Sequence, residues 1–247
     1  MLDELNVVIV GIGGVGGHLA PLISRYCQHL KPSIPVTITL VDGDGYEEHN
    51  AARQAFQRFG NKAEVTVESL VDQFDRVTFT AVGEFLTPDN IDFLLGENVI
   101  VFCCVDNNRS RKVIDDYVGT LQNAVLVSGG NDMTDGNVQV YIRRAGKDVT
   151  RSISSVHDET ANPVGKAPYE MSCEEMGAAS SAQLFFANAI VSTLMCLTFY
   201  NLVEIEGALD KPPFGELYFD MLVGRVEAVE RKPSIYKETS KEEEVTK

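Results

Sequence analysis

The chain has 247 residues, 44% of them hydrophobic and 23% charged, with a formal net charge of −15. That composition belongs to a soluble globular protein long enough to bury a real core. The acidic balance excludes bulk binding to nucleic acid or an anionic membrane, where Lys and Arg must neutralise phosphates, but it permits a small nucleotide pocket served by a few placed cations.

In chain order, the acidic N-terminus passes at once into Asn6-Val7-Val8-Ile9-Val10, so no secretory signal is expected. That run is short, β-branched and stopped by glycine, the pattern of a buried parallel strand. From Val15, residues Leu19, Leu22, Ile23, Tyr26, Cys27 and Leu30 follow helical spacing, with Pro21 expected to kink the helix or shift its start. Residues 36–42 predict a second strand, and Lys62 opens a helix with Ala63, Val67, Leu70, Val71 and Phe74 on one side. A strand is expected over 77–82, a short helix over 88–95, and a strand ending in an acid over 99–106. A helix from Arg109 to Val118 and strands over 124–130 and 137–144 follow.

Residues 145–172 lose periodicity and carry Pro163 and Pro168, which predicts a functional, mobile crossover loop. No charge occurs from Met176 to Val203, a length that would span a bilayer. Gln183, Asn188, Ser192, Thr193 and Asn201 interrupt it and no basic flank marks it, so the expectation is a buried soluble helix over about 178–203 and no membrane. A final strand is read over 215–232, and the acidic tail 233–247 is expected to be disordered. The five cysteines, Cys27, Cys103, Cys104, Cys173 and Cys196, include no C-x-x-C pair. An odd count inside apolar runs suits a reducing cytoplasm and gives a tetrahedral zinc site no support.

Strands alternating with helices at this pace predict a Rossmann-like, doubly wound α/β fold. Its mostly parallel sheet and flanking helices would form one domain over residues 1–232, closed by an added C-terminal helix and antiparallel strands. Ligands on such sheets sit at the carboxyl ends of strands, where the glycine loop, Asp42, Asp44 and Asp106 all fall. Gly11, Gly13 and Gly16 supply G-x-G-x-x-G between a strand and a helix, the setting in which backbone N–H groups meet phosphates. Alone, this motif suggests NAD with Asp42 on the ribose. A hydride-transfer enzyme also needs a second substrate domain and a His/Arg or Tyr/Lys pair, and neither is evident.

Further motifs follow in order. They are Asp42-Gly43-Asp44 at a strand end, Asn50-Ala51-Ala52-Arg53-Gln54, a lysine-bearing turn Gly60-Asn61-Lys62, and Cys104-Val105-Asp106-Asn107. With the glycine loop, this series resembles the ThiF/MoeB superfamily, which includes the adenylation domains of ubiquitin-activating enzymes. The resemblance implies an ATP- and Mg²⁺-dependent adenylyltransferase acting on the C-terminal carboxylate of a ubiquitin-like or sulfur-carrier protein. It implies nucleotide contacts from Gly11, Gly13, Gly14, Gly16, Asp42, Asn50, Arg53, Gln54 and Lys62, with Asp106 holding Mg²⁺. Arg53, Lys62 and Asp106 would carry the catalysis. Cys173 lies where some relatives carry an acceptor cysteine, and stands here either as that acceptor or as a buried core thiol. A homodimer, or a heterodimer with a related subunit, is also implied.

The chain departs from the family pattern in three places. The two C-x-x-C pairs are missing, so no structural zinc is expected. No helix precedes the first strand to lend an arginine to a neighbouring subunit, and the turn from Arg53 to Lys62 is short. Bland roles stay open beside the chemical ones. Asp42 could cap its own turn, Arg53 and Lys62 could be surface charges, and Asp106 could cap the following helix. Alternative functions are a silent partner subunit, a relative adenylating a small-molecule or tRNA-linked carboxylate, and an NAD-dependent dehydrogenase.

Overall fold

The structure is a computed structural model, and it describes residues 4–52, 54–171 and 184–230. Strand β1 (Leu5–Val10) leads into helix α1 (Gly14–Gln28) and strand β2 (Val36–Val41). A small hairpin, β3 (Gly45–Tyr46) with β4 (Gly60–Asn61), encloses a 3-10 turn over Glu48–Ala52. Helix α2 (Lys62–Val71), β5 (Val77–Val82), α3 (Ile91–Leu94), β6 (Val99–Cys103) and α4 (Asn108–Val118) continue the alternation. Then come β7 (Ala124–Asn131), β8 (Asp135–Arg144), β9 (Lys147–Asp148), α5 (Asp158–Ala161), α6 (Phe185–Glu204), β10 (Glu216–Asp220) and β11 (Arg225–Val229).

The main sheet runs β11-β10-β8-β7-β6-β1-β2-β5, with β9 added beside β8. The pairings from β7 through β6, β1 and β2 to β5 are parallel, whereas β8, β10 and β11 are antiparallel additions. The expected doubly wound, mostly parallel sheet is therefore present. In β1, Leu5, Val7 and Ile9 pack into one core while Val8 and Val10 pack into another. Both faces of the strand are dry, which is why it reads as an unbroken apolar run. The first core holds α1, α2 and α6; the second holds α3, α4 and Ile153.

Three expectations change in detail. Pro21 lies inside α1 without shifting the helix start, which is at Gly14; its i−4 neighbour is Gly17, the residue with least bulk to oppose the ring. The single final strand is a hairpin: β10 and β11 pair antiparallel about a turn at 221–224, where Gly224 takes a φ of +64°. The apolar Met221-Leu222-Val223 in that turn is what made it read as strand. The stretch after residue 144 contains β9, α5 and a 3-10 turn over Pro168–Glu170, with Thr150, Ile153, Thr160 and Ala167 buried. Buried Asp115 of α4 anchors it, accepting from the Ile153 N–H (2.9 Å), the Ser154 N–H (2.9 Å) and the Ser154 hydroxyl (2.6 Å). His157 adds a second tie, its Nε2 lying 2.8 Å from the Glu216 carboxylate on β10. The tail 233–247 lies outside the described residues.

Helix α6 is long and apolar enough to cross a bilayer by length and composition. Here it lies along α1 and the sheet, burying Ala187, Val191, Leu194, Met195, Phe199 and Leu202.

Candidate functional site

Strand order reverses at β1, which pairs with β2 on one side and β6 on the other. The helices that follow these two strands, α1 and α4, pack on opposite faces of the sheet, and a crevice opens at the carboxyl ends. It is a cavity of about 950 Å³, at the upper end of the range for small-molecule sites. Its wall includes Gly11, Gly13, Gly14, Asp42, Asp44, Asn50, Gln54, Lys62 and Asp106.

The glycine loop is shaped by backbone crowding. Gly11 has a φ of +88° and lies against the Cys104 backbone, where a Cβ would approach to 3.0 Å. A Cβ on Gly16 would run into the Gly11 carbonyl, and one on Gly14 into the Asn188 carboxamide from α6. Gly16 is not on the cavity wall, so its part is to close the turn. Gly13 is the N-cap of α1, no side chain caps the helix, and its first turn contains no acid. The first N–H groups therefore face the cavity side with no side-chain partner, the arrangement that receives an anion.

Asp42 ends β2 beneath this loop. Its Oδ2 accepts from the Ile12 N–H at 2.5 Å and its Oδ1 from the Asp44 N–H at 2.8 Å. The carboxylate thus caps its own turn and fastens the glycine loop, while each oxygen keeps a lone pair for a further donor. Burial pushes its pKa up to about 6, against the opposing pull of the Lys62 charge and the two N–H groups.

Lys62 is no surface charge: it is 6% exposed and opens α2 at the cavity wall. Its Nζ is 2.9 Å from the Asp44 carboxylate, and its N–H donates to the Asp44 carbonyl at 2.8 Å. The Asn61 side chain caps α2 through the Glu64 N–H and donates to the Asp42 and Asp44 carbonyls. Asp44, to which the sequence assigns no part, therefore positions the lysine. The short turn before Lys62 is accommodated by the β3–β4 hairpin.

Asn50 is buried at the wall and accepts from the Glu47 N–H at 2.9 Å. Gln54 Oε1 is buried with no partner among the described residues. Arg53 and Cys173 lie outside the described residues. After β6, Asn107 caps α4 through the Ser110 N–H at 2.8 Å. Asp106 therefore does not cap the helix, and its carboxylate is exposed at the cavity with no hydrogen bond among the described residues.

Arg111 was not singled out by the sequence. One turn into α4, it donates to Ser128 Oγ (2.6 Å) and to the Val105 (2.7 Å) and Gly129 (2.9 Å) carbonyls, joining the ends of β6 and β7 at the cavity wall. The helix cap at Asn107 is the signal that could have placed it. Arg109 turns away to pair with Glu170 at 2.7 Å. The far half of the cavity, from Asn131 to Gln139 and Tyr218 to Asp220, comes from the antiparallel strands.

Cys103 and Cys104 are buried in the strand and the loop after it, and burial raises both thiols. Cys27 and Cys196 are pushed up to about 12 by the same cause, so all four are protonated, inert thiols at neutral pH. Among the described residues, no group of three or more His, Cys, Asp or Glu side chains could hold a metal ion by itself.

A doubly wound sheet with an uncapped glycine-loop helix and a strand-end carboxylate at its switch point defines a nucleotide-binding α/β protein. The ThiF family pattern matches residues 1–227, and the chain belongs to the ThiF family. It is 30% identical over 143 residues to "Adenylyltransferase and sulfurtransferase uba4" of Emericella nidulans, covering 56% of this chain and 28% of that protein. The protein of the same description from Pyricularia oryzae is 32% identical over 143 residues, with the same two shares. The chain thus spans little more than a quarter of the length of these relatives. Among solved structures, E. coli MccB with ATP superposes with a TM-score of 0.67 at 16% identity, covering 94% of this chain and 65% of that one. PaaA superposes with a TM-score of 0.63 at 18% identity, covering 93% and 65%. At these identities the superpositions establish the fold.

Proposed function

We propose that the chain is an ATP- and Mg²⁺-dependent adenylyltransferase that activates the C-terminal carboxylate of a ubiquitin-like or sulfur-carrier protein in the cytoplasm. The observation that carries this reading is the meeting of Lys62, Asp42, the α1 N-terminus and Asp106, which has no hydrogen bond among the described residues, around one cavity. That set fits a nucleoside triphosphate and its metal: donors for phosphate, an acceptor for ribose, and an exposed carboxylate of the kind Mg²⁺ takes alongside phosphate oxygens. The orphaned Gln54 Oε1 also awaits a donor.

A carrier carboxylate oxygen forms a bond to the α-phosphorus as the bond to pyrophosphate breaks, leaving an acyl-adenylate. Two anions must meet, so the work of the protein is alignment and charge neutralisation. In this reading Asp42 accepts from the ribose hydroxyls, and the α1 N-terminus and Lys62 donate to phosphate oxygens. Asp44 holds Lys62 so that the charge need not reorganise during reaction. Magnesium, held by Asp106, would supply further neutralisation of the departing pyrophosphate. The far half of the cavity gives the carrier's end a place beside the nucleotide. The names of the uba4 relatives, adenylyltransferase and sulfurtransferase, support this assignment.

The test is ATP–pyrophosphate exchange with Mg²⁺, run with and without candidate carriers. Carrier-dependent exchange that Asp106→Ala abolishes is expected. No exchange with any carrier, together with undetectable ATP binding, overturns the proposal.

A further inference from the structure

The far half of the cavity is floored by one face of two paired strands. In β8, Val138, Val140 and Ile142 enter the core that α6 covers, as do Leu217 and Phe219 of β10. Alternation therefore turns Asp135, Asn137 and Gln139 to the opposite face, and the register sets Asp220, Tyr218 and Glu216 directly beside them. Farther along β8 the same face is apolar at Tyr141, which is buried in the second core. It turns polar where it meets the cavity. Burial falls outward along this ledge: Gln139 is 4% exposed, Asn137 is half-buried and Asp135 is exposed. Gln139 pairs with Ser128, which Arg111 binds, so the buried end of the ledge adjoins the nucleotide half.

Both ends of the ledge are short of partners. The carboxamides of Gln139 and Asn137 line the cavity and have no hydrogen bond among the described residues. A buried carboxamide left in this state costs about 1–3 kcal/mol, and an extended peptide backbone supplies both the acceptor and the donor it lacks. At the outer end Asp135 and Asp220 stand directly opposite each other, a juxtaposition of like charges that weakens a sheet. Asp220 Oδ1 accepts from the Leu222 N–H at 2.8 Å, and its Oδ2 has no hydrogen bond among the described residues. Asp132 lies on the same wall. None of these three acids is paired with a cation among the described residues. The basic side chains of the wall, Lys62 and Arg111, are engaged with Asp44 and with the ends of β6 and β7.

Charge decides what can lie on the ledge. Three carboxylates repel phosphate, so the nucleotide keeps to the half with Lys62 and the α1 N-terminus. A metal ion does not fit, because among the described residues these acids form no group that could hold one. An ammonium or guanidinium on a long side chain meets both the charge and the exposure of the outer end. Gln139 and Asp135 are four residues apart on β8, about 14 Å, and an extended peptide crosses that span in four residues.

We propose that the far half of the cavity is a specificity site for a peptide end with lysine or arginine four residues before its terminal carboxylate. Gln139 and Asn137 bind the peptide backbone, and Asp135, Asp220 and Asp132 receive the cation. The proposal rests on the carrier reading of the same cavity and narrows it to carriers with a basic C-terminal segment.

Calorimetry of the full chain with synthetic alanine- and glycine-based peptides tests it, one with lysine at that position and one with glutamine. The lysine peptide is expected to bind about three- to tenfold more tightly at low ionic strength. Asp135→Asn with Asp220→Asn removes the difference; asparagine keeps the side-chain shape and the oxygen that holds the Leu222 N–H, and the far-UV circular dichroism stays unchanged. Asp135→Lys reverses the preference toward a glutamate peptide. Equal affinity for the lysine and glutamine peptides, or a lysine preference that survives these substitutions, overturns the proposal. ATP–pyrophosphate exchange separates its failure from that of the carrier reading. Exchange driven equally by carriers with neutral and with basic ends overturns the specificity and leaves adenylylation standing. A lysine preference in binding with no exchange from any carrier supports the peptide site and overturns adenylylation.

Discussion

Replacing Lys62 by methionine separates the chemical from the structural content of the site. The side chain is 8% exposed, whereas that of its partner Asp44 is 48% exposed, so Asp44 returns to water when the lysine charge is removed. The pair is thus worth about 0–1 kcal/mol to folding, and methionine keeps most of the packed stem. Activity should fall much further. Loss of one preorganised donor to developing charge costs about 3–4 kcal/mol, or 10²–10³ in rate. ATP–pyrophosphate exchange is therefore expected to drop by about 10²–10³, with the denaturation midpoint almost unmoved.

A second consequence follows from Asp42, whose acidity the Lys62 charge partly restores. In Lys62→Met its pKa rises above about 6, so a larger share is protonated at pH 7 and adenosine binds more weakly. At pH 8.5 the carboxylate is ionised again and adenosine affinity should recover to near the wild-type value, while exchange does not. Calorimetry with adenosine at the two pH values, beside the exchange assay, reads both effects. Exchange within a few-fold of wild type would refute the placement of Lys62 at the phosphates, and adenosine binding lost equally at both pH values would refute its electrostatic link to Asp42.

In the wild-type chain, Asp42 holds its proton more tightly folded than unfolded, because its pKa is raised from about 4 to about 6. Its contribution to stability is therefore largest below pH 4 and declines as pH rises to about 6. Adenosine affinity runs the other way and should weaken as pH falls through about 6, by up to tenfold for one lost acceptor; calorimetry from pH 5 to 8 measures it. Gly14→Ala drives a Cβ into the Asn188 carboxamide and should cost about 1–3 kcal/mol along with ATP affinity; adding Asn188→Ala should restore both, read by chemical denaturation and nucleotide titration. Asp115→Ala leaves the Ile153 and Ser154 N–H groups without their acceptor and should cost about 2–4 kcal/mol in denaturant titration, with faster proteolysis in the 150s.

The parts of the site that could be read from sequence are those built from neighbours in the chain. A strand, a glycine turn and a helix follow one another within residues 5–28, so the β1–α1 unit and its anion-binding end follow from local pattern alone. The Asp44–Lys62 pair was hidden because it depends on a hairpin that folds residues 45–46 onto 60–61. Asp106 and Asn107 are both capping residues, and only the extended backbone at Asn107 (φ −132°, ψ 141°) decides which one caps α4 and which one is left to the cavity. The far wall was invisible because it is assembled from β7, β8 and β10, separated by up to some 90 residues and joined by antiparallel pairing. The two sides of α6 could not be told apart either, since apolar residues surround the helix and periodicity carries no contrast.

Transfer of an adenylyl group to a carrier's terminal carboxylate is read by single-turnover labelling with ATP marked in its α-phosphate. Label is expected on the intact carrier, acid-stable but discharged by hydroxylamine, and none on a carrier lacking its last residue or with Asp106→Ala enzyme. Label on the truncated carrier as well, or ATP bound by the enzyme with no label transferred to any carrier, would contradict it.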